Sequence, residues 1–302
     1  MTTYTWPEIL SASEKVSWRV EDLIGPDQSF DFSRPFLPET LARTRQLEFL
    51  TPREQLLLNQ IRAHGYLYLF GVVEEFIVPF VLDHLRPGLG GDPARDRSLL
   101  TFVDEEAKHI DLFRRFHERF RKDFGTECQV IGPPAAIGAA VLAHDPLSVG
   151  LVILQIEWMT QRHYLDSIEN DQSLDARFKS LMRHHWMEES QHAKADNLIV
   201  AELAATRDAD ARAAAVEGYL AIGKFVDEGL AQQARFDLDS LERASGRQLS
   251  AAERERFLAV QHQAMRWTYL GSGMVHPRFQ AALSDLGDAM RARVDAVAPA
   301  FA

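Results

Sequence analysis

The sequence predicts an all-α fold, a four-helix bundle core with additional N- and C-terminal helices. Three observations carry this. Ala, Leu, Glu, Arg and Gln, all good helix formers, dominate the composition. Short apolar/polar alternation, the mark of half-buried strands, is scarce. Four long stretches of helical periodicity follow one another between Pro- and Gly-rich breaks, as in an antiparallel bundle.

Residues 1–52 read as an arm packing on the bundle, with a short helix near residues 11–23 and punctuation at Gly25-Pro26, Pro35 and Pro38. Thr51-Pro52-Arg53-Glu54 is a helix start: a Thr cap, Pro at the first helical position and Glu at the third. The helix it opens runs to about Leu85, with Pro79 expected to kink or distort it. A second helix covers about 94–124. Gly132-Pro133-Pro134 and Asp145-Pro146 break the pattern before a third, about 147–168, and a fourth follows at about 174–206. Three more are expected near 209–236, 250–269 and 276–297, separated at Ser245-Gly246 and Gly271-Ser272-Gly273. The expected organisation is an arm over 1–52, a di-metal bundle over 53–206, and C-terminal helices over 207–302 that complete the same domain.

Charge narrows the choice of partner. Lys and Arg number 33 against 44 Asp and Glu, a formal net charge of −11 without a basic block. This disfavours nucleic acid or an anionic membrane surface as the main partner. The single Cys128 excludes an intrachain disulfide and suits a reducing, cytoplasmic setting. The N-terminal residues lack the basic and apolar regions of a signal peptide, and no uninterrupted apolar run reaches the ~20 residues of a membrane span.

The chemistry concentrates in His185-Trp186-Met187-Glu188-Glu189-Ser190-Gln191-His192. Residues three and four apart share a helix face, so His185, Glu189 and His192 project together. Asp104-Glu105-Glu106-Ala107-Lys108-His109 repeats the Glu-x-x-His pattern as Glu106 and His109. Phe102, Phe113, Phe116 and Phe120 recur on the same side as that motif, which argues against a solvated face. Glu157 is the only acidic residue between Leu147 and Tyr164, and a lone carboxylate in so apolar a run needs a partner or a metal. Tyr164 shares its face. The first long helix offers Glu74 or Glu75. Asn59, Arg62 and His84 are taken to mark its solvent side, and Glu75, nearly opposite them, is favoured. Two Glu-x-x-His helices plus two helices giving one Glu each are the donors of di-iron and di-manganese carboxylate bundles. Ligation rich in carboxylate suits two iron ions, with manganese or a mixed pair as alternatives, and such a centre uses O2.

With these residues the chain resembles, over roughly residues 55–200, the ferritin-like di-iron N-oxygenases related to p-aminobenzoate N-oxygenase. The resemblance implies seven metal ligands: Glu75 (or Glu74), Glu106, His109, Glu157, His185, Glu189 and His192, with His185 the histidine added to the common set. It implies an O2-activating oxygenase acting on a small organic substrate, an arylamine taken toward hydroxylamine or nitro. The contrasting class is a ferritin-like storage or oxidant-scavenging protein without organic substrate. No flavin or iron–sulfur motif is present, so an external donor, a reductase or a ferredoxin-type protein, would supply electrons. A homodimer is compatible with this reading.

Other residues carry narrower expectations. Asp196, one turn past His192, is placed to hold that imidazole from behind. Glu74, Glu105 and Glu188 are expected at the surface or behind the ligands. Tyr66, Tyr68 and Tyr164 are candidates for redox-active residues near the metals, with packing and a satisfied hydroxyl preferred. His262, Trp267, His276 and Arg278 are candidates for pocket walls, with ordinary packing preferred.

Overall fold

The computed structural model describes residues 4–25 and 27–302. Residues 1–3 and Pro26, which carry part of the N-terminal and Gly25-Pro26 readings, lie outside the described residues. Among the described residues there is no strand.

The arm contributes α1 (Trp6–Ser13), α2 (Val20–Leu23) and α3 (Glu39–Ala42), so the single helix expected near 11–23 is two separate pieces. Pro7 in its first turn starts α1 early. Trp6 Nε1 donates to Glu202 Oε1 at 3.0 Å, and Ser98 Oγ donates to the Trp6 carbonyl at 3.0 Å, which pin α1 to the bundle.

The bundle begins with α4 (Pro52–Leu85), whose capping box forms as expected: Thr51 Oγ1 accepts from Glu54 N, and Glu54 Oε2 accepts from Thr51 N at 2.7 Å. The helix continues through Pro79 unbroken. After a short 3₁₀ turn comes α5 (Pro93–Phe124), capped by Asp92, and then α6 (Pro134–Leu142). The latter was read as a break; Pro133-Pro134 instead starts a helix, because a proline in the first turn lacks an N–H that would be unpaired there anyway. Next are α7 (Pro146–His163), which runs into a π-helical turn over Tyr164–Ile168, and α8 (Ala176–Ala205). Asp145 and Asp175 cap these two. The bundle pairs α4 with α5 and α7 with α8, closed by contacts of α5 with α8 and α4 with α7.

The C-terminal part is α9 (Ala209–Ser245), α10 (Ala251–Arg266), a π-helical turn over Trp267–Gly271, and α11 (Ser272–Met274), α12 (Pro277–Leu286) and α13 (Asp288–Asp295). The last expected helix, 276–297, divides at Gly287, whose φ of +143° side-chain-bearing residues avoid. α9 lies across α4 and α7, and α10 packs on α9. α4 thus meets α5, α6, α7 and α9. That explains why it is apolar enough over one window to match a membrane span by composition alone: 61% of that window is buried inside the protein.

The arm and α9 bury a face of α4 that its polar residues suggested was wet. Asn59 is 4% exposed: its Oδ1 accepts from Phe36 N and Leu37 N at 2.7 and 3.1 Å, and its Nδ2 donates to the Leu37 carbonyl at 2.7 Å. Arg62 is buried near Asp237, and His84 meets Glu202 at 2.9 Å.

Candidate metal centre

Seven donor side chains from α4, α5, α7 and α8 meet at the middle of the bundle. Glu74, Glu106, His109, Glu157, His185, Glu189 and His192 are each at most 2% exposed. Glu75 is not among them. Its side chain is 44% exposed on the outer face, 3.9 Å from Arg114, while Glu74 turns inward to lie 3.1 Å from His185 Nε2. The choice of Glu75 is corrected to Glu74, and the cause is physical. Asn59, Arg62 and His84 mark a face covered by the arm and by later elements, so the side opposite them is the wet one.

The two Glu-x-x-His motifs interlock reciprocally. His109 turns Nδ1 inward, 3.3 Å from Glu106 and 3.0 Å from Glu189, and its Nε2 meets Glu188 Oε2 at 2.9 Å. His192 turns Nδ1 inward, 3.0 Å from Glu106 and 3.3 Å from Glu189, and its Nε2 meets Glu105 Oε2 at 2.8 Å. The first Glu of each doublet therefore holds the histidine of the other motif. Such a carboxylate fixes the ring and its tautomer and leaves the inner nitrogen free to bind metal. Lys108 Nζ pairs with Glu188 and sits 4.1 Å over the Trp18 ring, which closes this side with the arm. Asp196 does not hold His192 as expected: it is buried, and both of its carboxyl oxygens lack hydrogen-bond partners.

His185 approaches differently. Its Nε2 faces inward, 2.8 Å from Glu189 and 3.1 Å from Glu74, and its ring meets Phe113 and Phe70 edge-on with centroids at 4.8 and 5.7 Å. His184 points elsewhere, with Nδ1 2.7 Å from the Ser180 carbonyl oxygen. His192 stacks on Phe102 at 4.1 Å. Phe116 and Phe120 sit farther along α5 and pack on the arm's Phe30.

Electrostatics follow from this crowding. Burial and the Glu106 carboxylate push Glu74 well above the usual carboxylate range, and burial and Glu189 do the same to Glu157. Burial and Glu189 also act to raise Glu106, but His192 and His109 outweigh them and bring it to about 2. Glu189 is held well below the usual range despite burial, chiefly by His185 and His192. Burial acts to discharge His109 and His192, yet Glu189 above all raises both well above the usual imidazole value. For His185 burial prevails, and the ring stays neutral.

The donor chemistry fits metal ions. Glu106 Oε1, Glu189 Oε1, Glu157 Oε2 and His192 Nδ1 are buried atoms without a hydrogen-bond partner. His192 Nδ1 and Glu106 Oε1 lie 3.0 Å apart without the alignment of a hydrogen bond. Lone pairs that converge on common points instead of on donors are the arrangement a cation completes. Two overlapping four-donor groups exist, Glu74 with His109, His185 and Glu189, and Glu106 with His109, Glu189 and His192, their ligand atoms within 4.8 Å of one another. His109 and Glu189 are common to both groups, and Glu189, with two carboxylate oxygens, could serve either ion. Glu157 joins through its contact with Glu189.

An apolar cavity of about 360 Å³ lies beside the centre, between α4, α6, α7 and α9. Its wall includes Phe70, which touches His185, together with Val73 and Ile156, the residues before Glu74 and Glu157. The C-terminal part supplies Tyr219, Ile222, Tyr269 and Leu270. None of the four residues proposed for a pocket wall lines this cavity. His262 and Arg266 grip Asp227, His276 caps α12 and stacks on Trp158, and Trp267 lies 5.9 Å from the Arg162 guanidinium. Of the tyrosines, Tyr66 is 3.3 Å from His163 Nδ1, Tyr164 stacks on Trp186 at 4.5 Å, and half-buried Tyr68 faces His117 at 5.8 Å.

The fold and this donor set define an all-α protein with a buried carboxylate–histidine site for two metal ions. No family model and no curated protein matches the chain. Among solved structures it overlaps variants of an R2-like ligand-binding oxidase. One, anaerobically reconstituted with a Mn/Fe cofactor, has 13% sequence identity and a TM-score of 0.48, covering 91% of this chain and 93% of that one. Another, aerobically reconstituted with Fe/Fe, has 13% identity and a TM-score of 0.43, covering 86% and 91%. At this level of likeness the chemistry rests on the donor set.

Proposed function

We propose that the chain is an O2-activating di-iron oxygenase that oxidises the nitrogen of a small arylamine. The observation that carries this is the union of a two-metal donor set, with His185 as an added nitrogen, and an apolar chamber that shares Phe70 with it. Glu74, Glu106, His109, Glu157, His185, Glu189 and His192 would hold the ions, with manganese or a mixed pair as the alternative loading. When bound, such a pair supplies the electrons and the Lewis acidity for reaction with O2. The chain's own work is the rest. Glu105 and Glu188 orient His192 and His109. Phe70, Phe102 and Phe113 exclude water around the ligating imidazoles, and the chamber holds the substrate close to His185. Cys128 alone cannot hold an electron-transfer cluster, so the electrons come from a separate protein donor, and a cytoplasmic setting agrees with that thiol.

The test is O2 consumption by reduced, iron-loaded protein. The proposal expects about two irons per chain and faster consumption when an arylamine is added, with hydroxylamine or nitro product. Consumption with iron alone, indifferent to amine and accompanied by far more metal per chain, would make it a storage protein.

A further inference from the structure

We infer that the chamber beside the centre selects an uncharged arylamine, one without a carboxylate, and rejects alkylammonium ions. This rests on the oxygenase reading and names its substrate class. The wall of the chamber carries no Lys, Arg or His among the described residues. Two of its polar side chains are already taken up: Tyr219 Oη donates to Gln155 Oε1 at 2.5 Å, and Gln155 Nε2 donates to the Tyr269 carbonyl at 3.1 Å. Glu228, the one carboxylate of the wall, is exposed at its outer edge.

A substrate carboxylate entering this space would lose its water and meet neither a cationic side chain of the wall nor an unused row of N–H donors. A buried anion without a partner is strongly disfavoured. An alkylammonium ion would leave the exposed Glu228 behind and meet the same lack of partners. An arylamine escapes both costs, because its nitrogen lone pair is conjugated with the ring and stays unprotonated at neutral pH. The remaining surface suits a ring: Phe70, Phe76, Tyr219 and Tyr269 supply aromatic faces and edges. A volume of about 360 Å³ is at the small end of ligand sites, room for a one- or two-ring molecule.

The experiment is anaerobic calorimetric titration of the iron-loaded, reduced protein, whose two divalent ions are balanced by the four ligand carboxylates, with three probes at pH 7.5: p-toluidine, p-aminobenzoate and cyclohexylmethylamine. The expected result is p-toluidine binding at least ~10-fold more tightly than either charged probe. Ile222→Trp, which fills the chamber, should abolish that binding while keeping the metal content. Val226→Phe, at a half-buried position of the wall, is the gentler second variant. Binding of p-aminobenzoate as tight as that of p-toluidine overturns the inference and leaves the oxygenase reading intact. Absence of arylamine binding, or binding unchanged in both filled variants with metal content kept, overturns it too. Failure of the oxygenase reading looks different: p-toluidine binds in the chamber, yet O2 consumption ignores it.

Discussion

Metal loading should expel protons, and their number follows from the cluster. In the metal-free protein Glu74 and Glu157 sit well above the usual carboxylate range, and His109 and His192 well above the usual imidazole value. The direction of these shifts favours the protonated form of all four groups, whereas Glu106, at about 2, and Glu189 are held on the ionised side and His185 on the neutral side. Within the seven donors, leaving aside Glu105, Glu188 and Lys108 behind them, two imidazolium charges then balance two carboxylates. Two divalent ions bring four positive charges against the four carboxylates of Glu74, Glu106, Glu157 and Glu189, and balance returns only if all four protons leave. About four protons per chain should therefore be released at neutral pH. Metal affinity should climb steeply with pH, with a limiting slope of roughly 10⁴ per pH unit for the pair of ions.

The same shifts act on folding. Glu74 and Glu157 keep protons that the unfolded chain gives up near 4.5, so stability falls as pH rises above that value until they ionise. The contribution of His109 and His192 is complete below 6.5 and is lost as pH rises through their raised values. Within each window a group contributes up to about 1.4 kcal/mol per pH unit, and all four act in one direction. Metal-free protein should thus weaken between about pH 5 and 8, just where holo protein gains metal affinity. Calorimetry of metal binding in buffers of different ionisation enthalpy counts the protons. A count near zero, or metal-free stability that rises across this window, would refute the charge assignment.

Other substitutions test single residues. Glu157→Ala should lower holo stability and metal affinity while metal-free stability holds or rises, since a buried carboxyl with an unpartnered Oε2 is removed; equal large losses in both forms, by thermal denaturation, would mark a structural role. His185→Ala should retain both ions on the remaining six ligands and cut amine oxygenation while O2 consumption continues uncoupled; His184→Ala, which loses contacts with Ser180 and the Trp18 ring but no donor of the cluster, should leave turnover near normal. Asn59→Ala should cost about 2–4 kcal/mol, because two buried N–H groups and one carbonyl lose their partner. Limited proteolysis should then cut the arm first.

Much of the centre was legible because its spacing is helical. Glu106, His109, Glu189 and His192 announce themselves by two Glu-x-x-His repeats, and Glu157 by being the lone acid in an apolar helix. Glu74 was not legible, because which side of α4 is wet depends on the arm and α9, which bury Asn59 and Arg62 by contacts remote in sequence. Helix periodicity cannot see such cover. The reciprocal grip of Glu105 on His192 and Glu188 on His109 spans 87 and 79 residues, so only the register between α5 and α8 reveals it. Sequence proximity favoured Asp196 for the first of these tasks, and α6 was hidden behind prolines that start a helix as readily as they end one. The chamber is the least legible feature, since its wall is gathered from α4, α6, α7, α9 and the π-helical turn at Trp267–Gly271.

The central claim is that two metal ions sit together among these seven side chains. Anomalous difference maps at the iron edge, from crystals of anaerobically iron-loaded protein, test it most directly. Two peaks are predicted, both enclosed by Glu74, Glu106, His109, Glu157, His185, Glu189 and His192, with Glu75 touching neither. The same crystals of Glu74→Ala should show at least one peak weakened, and those of Glu75→Ala should match the parent. An empty cluster in well-folded protein, or iron bound elsewhere on the chain, would contradict the account.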